Sequence, residues 1–217
     1  MKKTFRDLRR IINANFFGGI NERHVVLTYA HAMFDYMQAN RDFKQFWTRF
    51  IYHYPNCEYL KVIEPQANKR WHIHVLIRGP TGQALYIDFD QLRSLWGLGR
   101  VHVSDLPAAD NYGAYFSARF TDIDALEDSD QSEKNLNSKL IVKGARLQYY
   151  PPKFKFYTCS KGIVKPPPTI MKYGDAMNLV EGVTKVHTFT TQILMVDERG
   201  HTVELNATQY EQYNRKR

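Results

Sequence analysis

The chain has 217 residues and a formal net charge of +8, which allows one domain of good size or a domain with a small extension. A hydrophobic content of 43% excludes an intrinsically disordered protein, and no apolar run approaches the roughly 20 residues of a membrane span. The basic N-terminus lacks the apolar segment of a signal peptide, and Cys57 and Cys159 form no motif. We therefore expect a reduced, cytoplasmic protein whose basic charge favours nucleic acid as the partner over an anionic membrane.

Apolar spacing along the chain predicts a mixture of helices and strands, an α+β class. The mixture of basic and apolar residues at 1–20 predicts either a short amphipathic helix or a basic arm that contacts phosphates. The other predicted elements are strands at 23–30, 57–64, 70–79 and 100–105, helices at 40–54, 88–96 and 109–121, a surface loop or exposed helix at 124–138, and a hairpin at 187–205 that turns at 197–200.

The strand at 70–79 carries a pair of histidines on one face. Side chains two apart in a strand share a face, so His72 and His74 point the same way, while Ile73, Val75 and Ile77 point the other way, into a core. The turn-like segment 65–69 makes this strand the second of an antiparallel hairpin, which brings Glu64 near His72. Two imidazoles and a carboxylate suit manganese, magnesium or zinc; the alternative is exposed strand histidines and a solvated carboxylate.

The helix at 109–121 carries two tyrosines and an arginine on one face. Tyr112, Tyr115 and Arg119 follow one another at steps of three and four residues. A phenol near a metal and a guanidinium has an accessible phenolate and can act as a nucleophile. The alternative is a pair of half-buried core tyrosines.

The segment 143–157 interleaves basic and aromatic residues. Such a composition can grip phosphates and stack single-stranded bases; the alternative is an exposed hairpin with a basic outer face. Segment 165–168 is a stiff proline-rich connector, so we expect one domain at 1–168 and an extension with a hairpin and a basic tail at 169–217. The candidate DNA-binding residues are Arg70, Arg78, Lys143, Arg146, Tyr149, Tyr150, Lys153 and Lys155.

Several of these segments together resemble the HUH endonucleases, in particular the rolling-circle replication initiators of small bacterial plasmids and phages. That family has, in order, an apolar strand ending in Thr, a His-apolar-His strand and a helix with the nucleophilic tyrosine. The matching segments here are 25–28, 72–74 and 113–119, and the resemblance continues at 144–152 and 157–162. Many relatives carry a lysine three residues after the tyrosine, where this chain has Ala118.

The resemblance implies a central antiparallel sheet of about five strands flanked by helices, and a cytoplasmic bacterial protein. It implies metal binding by Glu64, His72 and His74, with manganese or magnesium as the expected cofactor. Tyr115 would attack DNA to form a 5′-phosphotyrosine and release a 3′-hydroxyl, and Arg119 would neutralise charge on the phosphate. The expected partners are single-stranded or hairpin origin DNA and, in addition, a host replication helicase or polymerase.

Two other classes of function remain open from the sequence. A 2H-type phosphoesterase acting on RNA ends needs two His-x-Ser/Thr motifs, which segments 102–104 and 187–190 superficially supply. That interpretation leaves His72, His74 and Tyr115 unexplained. A non-catalytic DNA-binding or copy-control protein on the same fold is the other alternative.

Overall fold

The described residues of the computed structural model fall into two compact units. The units comprise Met1–Pro166 and Pro167–Arg217, and their division falls in the proline-rich segment at 165–168. The residues that the structure describes are 2–66, 69–107, 112–119, 123–124, 141–142, 145–152, 154–196 and 198–214.

The first unit is built on an antiparallel sheet of five strands in the order β4-β1-β3-β2-β7. This confirms the predicted α+β class and the sheet implied by the resemblance. In chain order its elements are α1 (Lys2–Asn15), β1 (Glu22–Leu27), α2 (Tyr36–His53), β2 (Glu58–Pro65), β3 (Trp71–Arg78), α3 (Phe89–Trp96), β4 (Val101–Asp105), α4 (Tyr112–Arg119), the short pair β5 (Ile123–Asp124) and β6 (Ile141–Val142), a 3-10 helix (Ala145–Tyr149) and β7 (Tyr157–Cys159).

The predicted hairpin is formed by β2 and β3, and its register fixes one face of the sheet. Glu64 lies directly opposite His72, and Val62 lies opposite His74. On the other side of β3, Val26 of β1 is also opposite His74. Because directly opposed residues of antiparallel strands share a face, these side chains all lie on one side of the sheet, which we call the histidine face.

The opposite face of the sheet is covered by α2 and α3. Helix α2 begins at the Asp35 cap, whose side chain accepts hydrogen bonds from two backbone N–H groups, and buries Phe43 and Phe46. Lys61, which is opposite Val75 in the register, places its ammonium group 4.6 Å from the Phe43 ring. The ring of Trp96 in α3 lies 5.9 Å from that of Phe46, so the two helices are neighbours.

Helices α1 and α4 lie on the histidine side. The amphipathic helix predicted in residues 1–20 is confirmed as α1, which buries Leu8 and Ile12. Its last residue, Asn15, donates from Nδ2 to the Val164 carbonyl at 2.7 Å and accepts from the Val164 N–H at 2.9 Å. The N-terminal helix is therefore joined to the final segment of the first unit.

The exposed hairpin considered for residues 143–157 is wrong for the described part of that segment. Residues Ala145–Tyr149 form a 3-10 helix, and β7 starts only at Tyr157. Two consecutive prolines at 151–152 remove backbone donors that a ladder would need. The ring of Tyr150 is buried and lies 4.4 Å from the ring of Phe156, so the segment folds back on the core.

The second unit contains α5 (Tyr173–Leu179) and two long antiparallel strands, β8 (Thr184–Val196) and β9 (Thr202–Asn214). These strands confirm the predicted hairpin and extend it in both directions. Among the described residues of the chain, no helix combines the length and apolar character needed to cross a membrane.

Some sequence predictions fall on residues that the structure does not describe. They concern residues 125–138 of the predicted surface segment, both ends of the helix predicted at 109–121, and two DNA-binding candidates, Lys143 and Lys153.

Candidate metal and nucleotide site on the histidine face

The buried centre of the histidine face is a contact between a carboxylate and an imidazole. Glu64 Oε2 lies 2.5 Å from His74 Nε2, and the two side chains are 9% and 5% exposed. His72 is half-buried and lines a neighbouring cleft. The structure therefore brings Glu64 and His74 into direct contact and places His72 opposite the same carboxylate.

His24 of β1 is a further member of this site that sequence analysis missed. Its Nε2 lies 3.2 Å from His74 Nδ1 in a buried hydrogen bond, and the two rings stack at 5.4 Å. A hydrogen bond between two imidazoles needs one N–H and one lone pair, so the tautomer of one ring sets that of the other. His74 is thus held at both ring nitrogens, by His24 on one side and Glu64 on the other.

Helix α4 is fixed on the histidine face by Phe116. The Phe116 ring meets the His24 ring edge-on at 5.4 Å and the His74 ring at 6.3 Å. Tyr112, one turn earlier, is 4% exposed and packs against Phe116 at 5.6 Å, as a core tyrosine does. The backbone of Tyr115 immediately precedes Phe116 in this helix, while the side chains of Tyr115 and Arg119 are not described.

The contact between α4 and α1 has no space for a side chain at Gly113. A Cβ at this position would lie 2.7 Å from the Arg9 carbonyl oxygen and 2.7 Å from Asn13 Oδ1. The Gly113 N–H donates to that same Asn13 oxygen at 2.9 Å. Glycine at this position lets the two helix backbones approach closely, and α1 thereby sets the position of α4 over the histidines.

The donor types on the histidine face fit a divalent cation. Imidazole nitrogen and carboxylate oxygen are suitable ligands for manganese, and carboxylate oxygen suits magnesium. As the side chains lie, however, no group of three or more His, Cys, Asp or Glu residues in the described ranges is arranged to hold a metal ion. The 2.5 Å between Glu64 and His74 is a direct contact, so an ion would have to take its place.

The structure gives the basic DNA-binding candidates different surroundings. Arg70 and Lys155 are exposed, as surface phosphate ligands must be. Arg78 instead donates at 3.2 Å to the carbonyl of Asn15 and at 3.2 Å to that of Gly162, so it joins the end of α1 to a distant loop. The backbone of Arg146 lies in the 3-10 helix, and its side chain is not described.

The two tyrosines predicted to stack on bases also differ. Tyr149 is half-buried, with the Lys69 ammonium 5.9 Å from its ring centre. Tyr150 is 9% exposed and packs on Trp71 and Phe156 at 5.9 and 4.4 Å. The surroundings of Tyr150 are those of a core aromatic, whereas Tyr149 keeps part of its ring at the surface.

The segments of the alternative 2H-type assignment lie in different units of the chain. His102 is in β4 of the first unit, and His187 is in β8 of the second. His102 is exposed on the strand next to β1. The two motifs therefore belong to separate compact units, whereas Glu64, His72 and His74 lie together on one sheet.

Comparison with protein families finds a match that covers the site. Residues 22–123 match the family model of the replication-associated protein ORF2. The match starts at the first residue of β1 and ends in β5, so it contains both histidines, Glu64 and the whole of α4. The match supports the interpretation of this chain as a replication initiator, that is, a Rep-like protein. No curated protein and no solved structure matches this chain significantly.

Proposed function

We propose that this protein is a replication initiator that nicks single-stranded DNA at an origin and becomes covalently attached to it. The observation that carries the proposal is the packing of α4 on the histidine face, where the Phe116 ring lies 6.3 Å from the His74 ring; Tyr115 is the residue next to Phe116 in this helix. The family match over residues 22–123 supports the replication role. The resemblance of the three ordered motifs to rolling-circle initiators supports the nicking chemistry.

In this proposal Glu64, His72 and His74 hold a divalent cation, manganese or magnesium. When bound, the cation would act as a Lewis acid toward the scissile phosphate. His24 acts as a positioning residue. If His74 carries its proton on Nδ1 and donates it to His24 Nε2, the lone pair of His74 Nε2 is left free for the cation and faces Glu64. Second-sphere hydrogen bonds of this kind orient metal-ligating histidines.

The chain's own nucleophile is the Tyr115 hydroxyl. Its oxygen attacks phosphorus in line and forms a phosphotyrosine bond to the 5′ side of the nick, while the bond from phosphorus to the 3′ oxygen breaks. The tyrosine loses its proton, and the departing oxygen gains one to become a 3′-hydroxyl that primes synthesis. Arg119 neutralises charge on the phosphate. Because the phosphodiester energy is retained in the phosphotyrosine, the strand can be rejoined.

The test is incubation of the full chain with a single-stranded oligonucleotide from its own origin and manganese, followed by a denaturing gel. We expect a protein–DNA adduct that maps to Tyr115 by mass spectrometry. Tyr115→Phe should lose the adduct and remain folded, because the change removes only the hydroxyl. Tyr112→Phe, the matched control in the same helix, should keep it.

An adduct at Tyr112, or equal adducts at both positions, would overturn the assignment of Tyr115. If the wild type forms no adduct with manganese or with magnesium, the proposal that the protein is an enzyme is wrong. In that case DNA binding without nicking would favour the non-catalytic alternative, and metal-independent hydrolysis of RNA ends would favour the phosphoesterase.

The role of His24 has a separate readout that does not depend on cleavage. His24→Phe keeps a ring of similar shape for Phe116 to pack on and deletes the hydrogen bond to His74. Loss of a second-sphere partner typically weakens metal binding about 10–100-fold. Calorimetric titration with manganese should show that loss in His24→Phe, and unchanged affinity would remove His24 from the site.

A further inference from the structure

A large cleft opens beside His72, at the edge of the sheet where β1 ends and β4 begins, next to α3. Its volume is about 1210 Å³, and its lining includes His72 and His102 from the sheet together with Arg93 and Arg100. His72 therefore belongs both to the histidine face and to this cleft. The cleft is continuous with the candidate metal site through that residue.

The charged side chains that line the cleft are all cationic. Arg93 and Arg100 are exposed, and within the described residues neither guanidinium takes part in a salt bridge. His31 and His102 add two exposed imidazoles, and among the described residues that line the cleft none is Asp or Glu. Such a lining attracts a polyanion and disfavours a cationic ligand.

The cleft also offers apolar surface next to the arginines. Phe89 is 51% exposed and Leu98 is 42% exposed, and both line the cleft. Exposed aromatic surface beside guanidinium groups is the combination that binds single-stranded nucleic acid, because phosphates contact the cations while bases stack on the ring. A concave site admits a flexible single strand more readily than a rigid duplex.

The backbone around the cleft is held rigidly. The Ala30 N–H donates to the Leu98 carbonyl at 2.9 Å and the Thr28 N–H to the Arg100 carbonyl at 2.9 Å. Between them, a Cβ at Gly99 would lie 2.3 Å from the Thr28 carbonyl oxygen, so the two chain segments touch backbone to backbone. Leu98 and Arg100, which flank this glycine, are thereby fixed in position before any ligand arrives.

We propose that this cleft binds the single-stranded DNA that flanks the scissile phosphate, with Arg93 and Arg100 on its phosphates and Phe89 against a base. The inference rests on the proposed nicking function, whose substrate it places on the surface of the first unit. It adds a nucleic-acid contact surface to the basic and aromatic residues predicted from the sequence, and it assigns α3 a part in substrate binding.

The experiment measures binding separately from cleavage. Fluorescence anisotropy of a labelled oligothymidylate of about 16 nucleotides is recorded with the full chain in EDTA, over a series of salt concentrations. The double variant Arg93→Gln/Arg100→Gln should bind more weakly, and the slope of log affinity against log salt should fall by about 1.4, which is about 0.7 for each lost phosphate contact. Phe89→Ala should weaken binding about fivefold or more.

Two matched controls lie outside the cleft lining, on α2. Lys44→Gln removes one exposed cation, and Tyr52→Ala removes a ring that is 83% exposed. Both controls should bind like the wild type. All substituted side chains are exposed, so thermal melting monitored by circular dichroism should confirm that every variant is folded.

Wild-type affinity and an unchanged salt slope in the double arginine variant would overturn the cleft assignment, as would an equal loss in the α2 controls. A loss that is equally large for a duplex of the same length would overturn the preference for a single strand. These failures are distinct from failure of the enzyme. If the wild type forms an adduct but the cleft variants bind DNA normally, only the proposal that the cleft binds DNA is refuted. If the cleft variants bind more weakly but the wild type forms no adduct, only the proposed nicking activity is refuted.

Discussion

Substitution of Gly113 by alanine should impair nicking far more than it impairs folding. The added Cβ would meet the Arg9 carbonyl oxygen at 2.7 Å. Ordinary van der Waals contacts start at 3.4 Å, so α4 must move away from α1 by about 0.7 Å unless α1 moves instead. This movement acts on the helix that carries Phe116, and with it on the packing over His24 and His74.

The two expected effects have different sizes. Overpacking costs about 1–3 kcal/mol, whereas replacing glycine by alanine in a helix gains up to about 1 kcal/mol, and less near a helix end. The net loss of stability is therefore about 0–3 kcal/mol. A displacement of about 1 Å in a catalytic group can reduce a rate about 100-fold, so we expect the rate of adduct formation to fall about 10- to 100-fold.

The assay is single-turnover adduct formation at saturating oligonucleotide and manganese, paired with urea unfolding of the same preparations. Gly174→Ala is the matched control, because Gly174 is also near the start of a helix and its Cβ would meet nothing within 4 Å. This control should keep the wild-type rate. A wild-type rate in Gly113→Ala would show that the close helix contact does not set the position of α4, and a rate loss that merely follows the unfolded fraction would refute the displacement argument.

Three further predictions concern other parts of the first unit. His72→Ala and His74→Ala should each abolish metal-dependent nicking and leave binding to single-stranded DNA largely intact; metal-dependent nicking at the wild-type rate in both variants would refute the metal assignment. Burial, with a smaller contribution from a neighbouring lysine, lowers the pKa of Lys61 to about 8 from its ordinary 10.5. Between these pH values the unfolded chain binds the proton more tightly, so the free energy of unfolding should rise with pH by about 3 kcal/mol at most, and chemical denaturation of Lys61→Met should lack that rise. Tyr149→Ala should weaken DNA binding by about 1–3 kcal/mol if its ring stacks on a base, whereas Tyr150→Ala should lower the unfolding midpoint because its ring is buried.

The sequence predicts the strand with the two histidines well because its information is local. Side chains along β3 alternate between the two faces of the sheet, which places His72 and His74 on one face and the fully buried Ile73 on the other. A short turn before β3 sets the register of the hairpin, and Glu64 is indeed opposite His72. The contact of Glu64 with His74 on the same face follows from this register together with the length of the side chains.

The parts that sequence analysis missed depend on strands and segments that are distant in the chain. His24 reaches His74 only because β1 pairs with β3 across an intervening helix, α2, and an intervening strand, β2, and no turn fixes that register. A signal was available in principle, since His24 shares its strand face with Thr28, the end of an apolar motif. Composition also does not distinguish a base-stacking tyrosine from a packed one, and for Tyr150 the structure favours packing. The cleft with Arg93 combines α3 with strand ends that no local pattern connects.

The pair of hydrogen bonds between Asn15 and Val164 has a consequence for synthesis on the ribosome. The partners are 149 residues apart, so at about 5–20 residues per second the N-terminal helix waits about 7–30 s for the segment that holds its end. During that interval the apolar side of α1, including Leu8 and Ile12, has no completed sheet to cover it. Of the helices in the first unit, α1 therefore leaves the ribosome earliest and waits longest for the segment that holds its end.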